Sequence, residues 1–335
     1  MTRTTTPASP DAPESVDMLI GERRRNRILV VGEALIDVVQ QVDGTVREHC
    51  GGSPANVAIT VGRLGYPVEL LTWLGADAYA EIVRGWLADS GVDVPLGLGA
   101  APMTPIASAV LDHEGNATYT FELTWDLPDG ATVPDDVVAV HTGSLATVLA
   151  PGADKVLSLL RSAEHATKFF DPNVRPTLID DAEDTRRRIE EFVDVADVVR
   201  VSDVDLLWIY PYEDPIDVAR RIVRDRHPTL VVVTQGPQGA TALTARGEVH
   251  VPTAATKIVD RVGAGDAATG ALIDGLWQAG LLGSDRLQQL AEIDLQTLHA
   301  ILQWCADLCA YTLAHAGANP PRRSKITTRL ELPAR

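Results

Sequence analysis

At 335 residues and 45% apolar content, the chain is long enough to bury one large α/β domain or two smaller ones. A formal net charge of −17 argues against a polyanionic partner, because nucleic acid or an anionic membrane surface requires a basic face. Three cysteines are too few for a disulfide framework and complete no metal site with histidine at ligand spacing, so a reducing, cytoplasmic setting is expected.

Residues 1–26 are rich in Thr, Pro, Ser and Asp and read as a mobile tail outside the fold. Their basic run, Arg23-Arg24-Arg25, is followed by no long apolar stretch, so neither a signal peptide nor a membrane-spanning helix is expected. Ile28–Val31 is a continuous apolar run closed by Gly32, which predicts a central strand buried on both faces. Asp37 is expected just past the carboxyl end of that strand, where open α/β sheets place ligands; otherwise it is a surface acid opening the next strand. Val38 to His49 alternates and breaks at Asp43-Gly44, a hairpin signal. A second hairpin is expected from Ile106–Leu111 and Ala117–Glu122 about Asp112–Asn116. Gly51 and Gly52 allow backbone to approach a ligand, and Asn56 lies near the start of a helix through Ala58, Val61 and Leu64 to Gly65. From there strand and helix alternate. Val68–Trp73, Val137–His141, Lys168–Phe170, Asp197–Val201 and Leu230–Val233 each run into a polar or glycine loop, the pattern of a parallel sheet whose ligand edge lies at the strand carboxyl ends.

Asp260-Arg261-Val262-Gly263-Ala264-Gly265-Asp266 is the segment about which the rest is arranged. Small residues precede an acid and the apolar pattern then resumes, so a tight loop feeds a helix N-terminus. The unpaired amides of a first helical turn and the positive end of its dipole bind anions. A carboxylate facing an anion makes chemical sense if it removes a proton from a hydroxyl that attacks a phosphate. The alternative for Asp266 is an ordinary acid stabilised by the helix dipole.

This loop and an earlier stretch, Gly51-Gly52-Ser53-Pro54-Ala55-Asn56-Val57-Ala58, occur in the order and at the separation seen in the ribokinase-like (PfkB) family of sugar kinases, which the chain resembles over about Arg27 to Ile326. The resemblance implies an α/β fold: a three-layer α/β/α core with a mainly parallel sheet over residues 27–330, and a small β-sheet lid built from residues near 38–50 and 104–125. It implies ATP and magnesium as cofactors, Asp266 as general base, and the amides of Gly263, Ala264 and Gly265 as the anion hole. Asp37, Gly51, Gly52, Asn56 and Asn173 then fall to the sugar. Thr234, Gln235, Gly236 and Gly239 resemble the nucleotide loop, and Gly317 and Asn319 lie in the loop that packs on adenine. Arg175, in Asp171-Pro172-Asn173-Val174-Arg175, either stabilises developing charge, binds an acidic sugar, or is a surface cation in an ion pair. Ser202-x-x-Asp205 stands where the family commonly carries Asn-x-x-Glu, so Asp205 would reach magnesium through water. The resemblance leaves room for potassium at Asp260, although Arg261 stands where a small residue is usual. It also allows a homodimer through the lid.

The motif Asp171–Arg175 resembles fructokinase-like and ketodeoxygluconate kinase-like members, which favours a hexose or ketose over ribose or a sugar acid. Phe121–Trp125 lacks the basic residue expected of a standard fructokinase, which counts the other way. A dinucleotide-dependent oxidoreductase fails because Glu33-Ala34-Leu35 follows Gly32, and a Walker-type phosphate loop does not occur. A non-catalytic sugar-binding regulator on the same scaffold remains the rival, with Asp266 and the intact loop against it.

Overall fold

The computed structural model describes residues 26–40, 42–95, 101–111, 117–127 and 130–333. The expected tail therefore lies outside the described residues except for Asn26, as does the hairpin turn at Asp112–Asn116.

A nine-stranded sheet runs in the order β13-β12-β11-β10-β9-β8-β1-β4-β5. Within it β1 (Arg27–Val31) is flanked in parallel by β4 (Val68–Leu71) and β8 (Val137–Gly143). β9 (Thr167–Asp171), β10 (Val198–Ser202) and β11 (Leu230–Thr234) continue the parallel array, and β5 (Val92–Asp93) closes the far edge. β12 (Ala240–Thr244) and β13 (Gly247–Val251) add an antiparallel hairpin that the strand-helix alternation did not reveal. The apolar runs are continuous because both sheet faces are covered. Ile28 and Val30 face one core, and Leu29 and Val31 face the other.

The first core is roofed by α1 (Ser53–Arg63), α2 (Ala78–Ala88), α7 (Ala264–Gln278), the short α8 (Leu287–Ala291) and α9 (Leu295–Leu313). The second is roofed by α3 (Gly152–Ser162), α4 (Ala182–Val193), α5 (Asp203–Ile209) and α6 (Pro215–Asp225). The result is a three-layer α/β/α body. Helix α7 is buried from Asp266 to Leu276, which explains its weak amphipathic pattern: it is a central helix, apolar nearly all round.

A second sheet of four strands, β3-β2-β6-β7, stands off the body. It contains β2 (Leu35–Gln40), β3 (Val46–Gly51), β6 (Ile106–Leu111) and β7 (Ala117–Glu122). The two expected hairpins meet where β2 pairs in parallel with β6. One expectation needs correction. The lid strand begins at Leu35, so Asp37 lies within β2, opposite His49, and not in the loop that follows β1. The reason is that only Gly32 to Ala34 are needed to leave the large sheet before a new partner strand is available.

Candidate active site

The carboxyl ends of β1, β8, β9, β10 and β11 deliver their loops to one edge of the body, and the first turns of α1 and α7 meet there. Asp266, third residue of α7, is buried. Its Oδ1 accepts the Ser53 hydroxyl at 2.7 Å and its Oδ2 accepts the Asn56 amide at 2.8 Å, both from the first turn of α1. Asn173 Nδ2 donates to Ser53 Oγ at 2.7 Å and more weakly to Asp266 at 3.3 Å. Burial raises the Asp266 pKa above the ordinary carboxylate value; the Ser53 and Asn56 hydrogen bonds pull it down, the Asp171 charge raises it, and the Arg175 charge lowers it. Oδ2, with one donor, keeps a lone-pair direction for a further one.

Gly263 caps α7 in the left-handed region, φ 75°, and a Cβ there would lie 2.5 Å from that of Ala318. Only glycine fits a position that both turns left-handed and touches the neighbouring loop. Ala264 and Gly265 open the first turn, so their amides have no partner within the helix. Asp260 ties this loop to the next: its Oδ1 accepts Val262 N at 3.0 Å and its Oδ2 accepts Gly317 N at 2.8 Å, and these amides hold its pKa low. Arg261 is exposed and makes no ion pair among the described residues, so it does not neutralise Asp260.

On the opposite side, Asp37 of β2 is half-buried, with a pKa raised by burial and drawn back by His49 and Arg175. A Cβ on Gly51 would strike Asp37 Oδ2 at 2.3 Å, and one on Gly52 would strike the Glu33 carbonyl at 2.4 Å, so Gly51 makes room for the Asp37 side chain across the small sheet and Gly52 lets the strand link pass close to Glu33. Glu33, behind them, is buried and pushed up to about 7 by desolvation, while its Oε2 accepts Ala146 N at 3.1 Å. Arg175 is exposed and donates to Asn173 Oδ1, to the carbonyl of Asn173 at 2.9 Å and to that of Val174 at 3.2 Å. Its charge reaches Glu33, Asp37 and Asp266 together, and no carboxylate among the described residues pairs with it.

Asp205 is the third residue of α5 and completes a capping box with Ser202. Its Oδ2 accepts Ser202 Oγ at 2.7 Å and its Oδ1 accepts Val174 N at 3.0 Å, with burial raising its pKa. Among the described residues no three acidic, His or Cys side chains converge as a metal cage. Both Asp205 oxygens accept hydrogen bonds within the protein, so any contact from it to an ion carried on phosphates would run through water.

Thr234, Gln235, Gly236 and Gly239 form the turn from β11 into β12, with Gln235 N donating to Gly239 O at 2.8 Å. The Gln235 side-chain oxygen accepts Thr241 Oγ1 at 2.9 Å. None of the four touches Asp266. Asn319 Oδ1 accepts Arg63 Nη1 at 2.6 Å, so its side chain ties the C-terminal segment to the end of α1.

Several contacts here are not marked by the motifs, although Ser53 and Asp171 lie within them. Ser53 sits inside the glycine-rich stretch but has no distinguishing neighbour. Arg200 and Asp171 form a buried pair at 2.9 Å, and Thr269 of α7 donates to the same Asp171 oxygen at 3.0 Å. The available signal is a cation in the apolar run Val198-Val199-Arg200-Val201.

The chain matches the model of the "pfkB family carbohydrate kinase" over residues 25–286. It is 32% identical over 292 residues to a fructokinase of Klebsiella pneumoniae, covering 84% of this chain and 92% of that protein. It is 34% identical over 287 residues to a fructokinase of Rhizobium leguminosarum bv. trifolii, covering 81% and 85%. The crystal structure of a fructokinase from Xylella fastidiosa with bound ATP superposes with a TM-score of 0.76 at 25% identity, over 88% of this chain and 94% of that one. A glycine-capped helix terminus presenting a buried carboxylate, on a ribokinase-like body with a separate small sheet, is thus found in a chain that belongs to the pfkB family of carbohydrate kinases, an ATP-dependent sugar kinase.

Proposed function

We propose that this kinase phosphorylates a hexose or ketose of the fructose type, with Asp266 as the general base. The observation that carries the reading is the Asp266 carboxylate: buried at the start of α7, oriented by Ser53 and Asn56, and beside the first-turn amides of Ala264, which reaches only the Arg261 carbonyl at 3.4 Å, and Gly265. A sugar lying between the lid and α1 meets Asp37, the backbone of Gly51 and Gly52, Asn56 and Asn173. Its hydroxyl gives a proton to Asp266 as the oxygen attacks the terminal phosphate of ATP, and the Gly263–Gly265 amides stabilise the charge that builds on the transferred group. Arg175, with no carboxylate partner, lies where it can approach that charge from the solvent side. ATP lies along the Thr234–Gly239 turn and the loop containing Gly317 and Asn319. Magnesium supplies neutralisation of the polyphosphate, with Asp205 behind its water; no step is assigned to potassium at Asp260. The lid's outer strands offer a route to a homodimer, which sedimentation at micromolar concentration would detect.

Fructose is preferred over ribose or 2-keto-3-deoxygluconate because the relatives at 32% and 34% identity are named fructokinases. The test is ADP release with ATP and magnesium across fructose, ribose, glucose, tagatose and 2-keto-3-deoxygluconate, with Asp266→Asn as control. Turnover on fructose is expected, and the variant should lose it by about a thousandfold or more while still binding ATP and sugar. Near-normal turnover in the variant would remove Asp266 from the role of base. Sugar binding with no ADP release from any member would favour the non-catalytic regulator.

A further inference from the structure

Arg200 lies in the middle of β10 and its side chain is only 9% exposed. Its Nη1 donates to Asp171 Oδ2 at 2.9 Å, from the end of β9, and its Nη2 donates to Thr234 Oγ1 at 2.6 Å, from the end of β11. The same Asp171 oxygen accepts Thr269 Oγ1, one turn along α7 from the anion loop. One guanidinium therefore joins three adjacent strand ends to the helix that carries Asp266. Above it lies Gly265. A Cβ built on Gly265 would sit 3.0 Å from Nη1, 3.1 Å from Nη2 and 3.3 Å from Cζ. All three distances are tighter than an ordinary carbon contact, so the guanidinium, by its two terminal nitrogens, closes off the space beside Gly265 and the loop approaches it closely.

Stability alone does not account for this residue. Burying a cation in an apolar strand costs free energy that an aliphatic side chain would not incur. The pair is also incompletely satisfied, since Arg200 Nε and Asp171 Oδ1 have no hydrogen-bond partner among the described residues. What arginine adds is a rigid plate, fixed at two corners, whose height sets that of the backbone above it.

We propose that Arg200 is a positioning residue for phosphoryl transfer: it is the floor under Gly265, and it sets where the anion-loop amides and the Asp266 carboxylate stand relative to the nucleotide turn at Thr234. The inference rests on Asp266 and the anion loop being the catalytic machinery. Arg200 makes no hydrogen bond to any of the sugar-facing residues Asp37, Gly51, Gly52, Asn56 and Asn173, so disturbing the floor affects turnover and ATP use more than sugar binding.

A double-mutant cycle tests it, using the full chain with ATP, magnesium and the sugar turned over in the panel above. Gly265 has an ordinary helical backbone, so Gly265→Ala strains nothing except its contact with Arg200. Gly265→Ala is expected to lower kcat about thirtyfold by lifting the loop off its floor, with the sugar KM within about threefold. In an Arg200→Met background, where the plate is replaced by a flexible chain, the same substitution should cost less than about threefold further. Because Arg200→Met leaves Asp171 buried and unpaired, the cycle is repeated with Asp171→Asn, which removes both charges of the pair. Arg200→Lys keeps the charge without the plane and should resemble Arg200→Met in kcat. Independent, multiplicative costs of Gly265→Ala and Arg200→Met in both backgrounds would overturn the inference. So would full activity in Arg200→Lys, or kcat losses accompanied by equal rises in sugar KM. Asp266→Asn separates the two readings: if it retains turnover the base assignment fails, whereas an additive cycle with inactive Asp266→Asn sinks only the role of Arg200.

Discussion

Asp266 shows how the properties of one residue type are set by its surroundings. An aspartate at the third position of a helix is commonplace, favoured by the dipole alone. Here burial raises its pKa while two donors from another helix hold it down and fix its orientation. The sign of each effect gives a test. Ser53→Ala removes a hydrogen bond that favours the charged form, so the Asp266 pKa rises further. A base works only when deprotonated, so the acidic limb of the kcat/KM profile should move to higher pH, by about one unit, with a smaller change on the alkaline side. A pH–rate series on the two proteins measures it directly; a limb that stays or moves down would contradict the assignment of that limb to Asp266. The placing of Asp266 in the first turn of a helix behind a glycine loop was legible in the chain, because its flanking glycines mark such a loop. The Ser53 contact was not, because it joins residues distant in sequence and serine carries no distinctive spacing.

At the level of elements, the site depends on two helix N-termini being brought close. A Cβ on Gly270 of α7 would lie 2.5 Å from Thr60 Cγ2 of α1, so the small residue lets the helices approach closely enough for Asn56 to reach Asp266. The loop before α7 is positioned from the other side by the Asp260 staple and by the Gly263–Ala318 contact. Gly263→Ala would place a side chain in the left-handed region, at a cost of about 1–2 kcal/mol, and against Ala318. We expect the anion loop and the Gly317 loop to separate, raising the ATP KM about tenfold or more and leaving sugar affinity nearly unchanged. Calorimetric titration with ATP and with sugar separately checks this. Equal weakening of both ligands would point to collapse of the whole site. The strand-helix alternation was readable because parallel strands bury both faces and so give unbroken apolar runs. The β12–β13 hairpin was missed because Ala240–Thr244 and Gly247–Val251 are short and mixed in polarity. The lid start at Leu35 was missed because an apolar pair beside another apolar run does not mark which sheet it joins.

Across the whole molecule, one buried acid remote from the active-site edge fastens the chain's C-terminal segment to the core. Asp274, with no exposed surface, accepts Tyr66 OH at 2.5 Å, Trp304 Nε1 at 2.6 Å and Arg323 Nη2 at 2.5 Å. The Arg323 guanidinium lies over the rings of both Tyr66 and Trp304. Asp274→Ala leaves four side chains, those three and Gln278, without their acceptor and should cost about 3 kcal/mol of stability, read by chemical denaturation. Because the cluster sits on the far part of α7, kcat per folded molecule should stay within about twofold of the parent; a large kcat loss in folded protein would show that the cluster also orients the helix N-terminus. Among the described residues no helix is long and apolar enough to cross a membrane.

The sequence by itself determined the α/β class, the two motifs, the two hairpins of the small sheet and the glycine loop before α7. These depend on periodicity and on glycine placement, which are local properties of the backbone. Tertiary structure alone decided that Ser53 and Asn56 converge on Asp266, that Asp205 serves first as a helix cap, and that Asn319 is engaged by Arg63. It also decided that Arg200 lies beneath Gly265. A hydrogen bond between distant residues depends on how helices and strands pack, and packing is set by the summed fit of the whole core, which no short window of the chain contains.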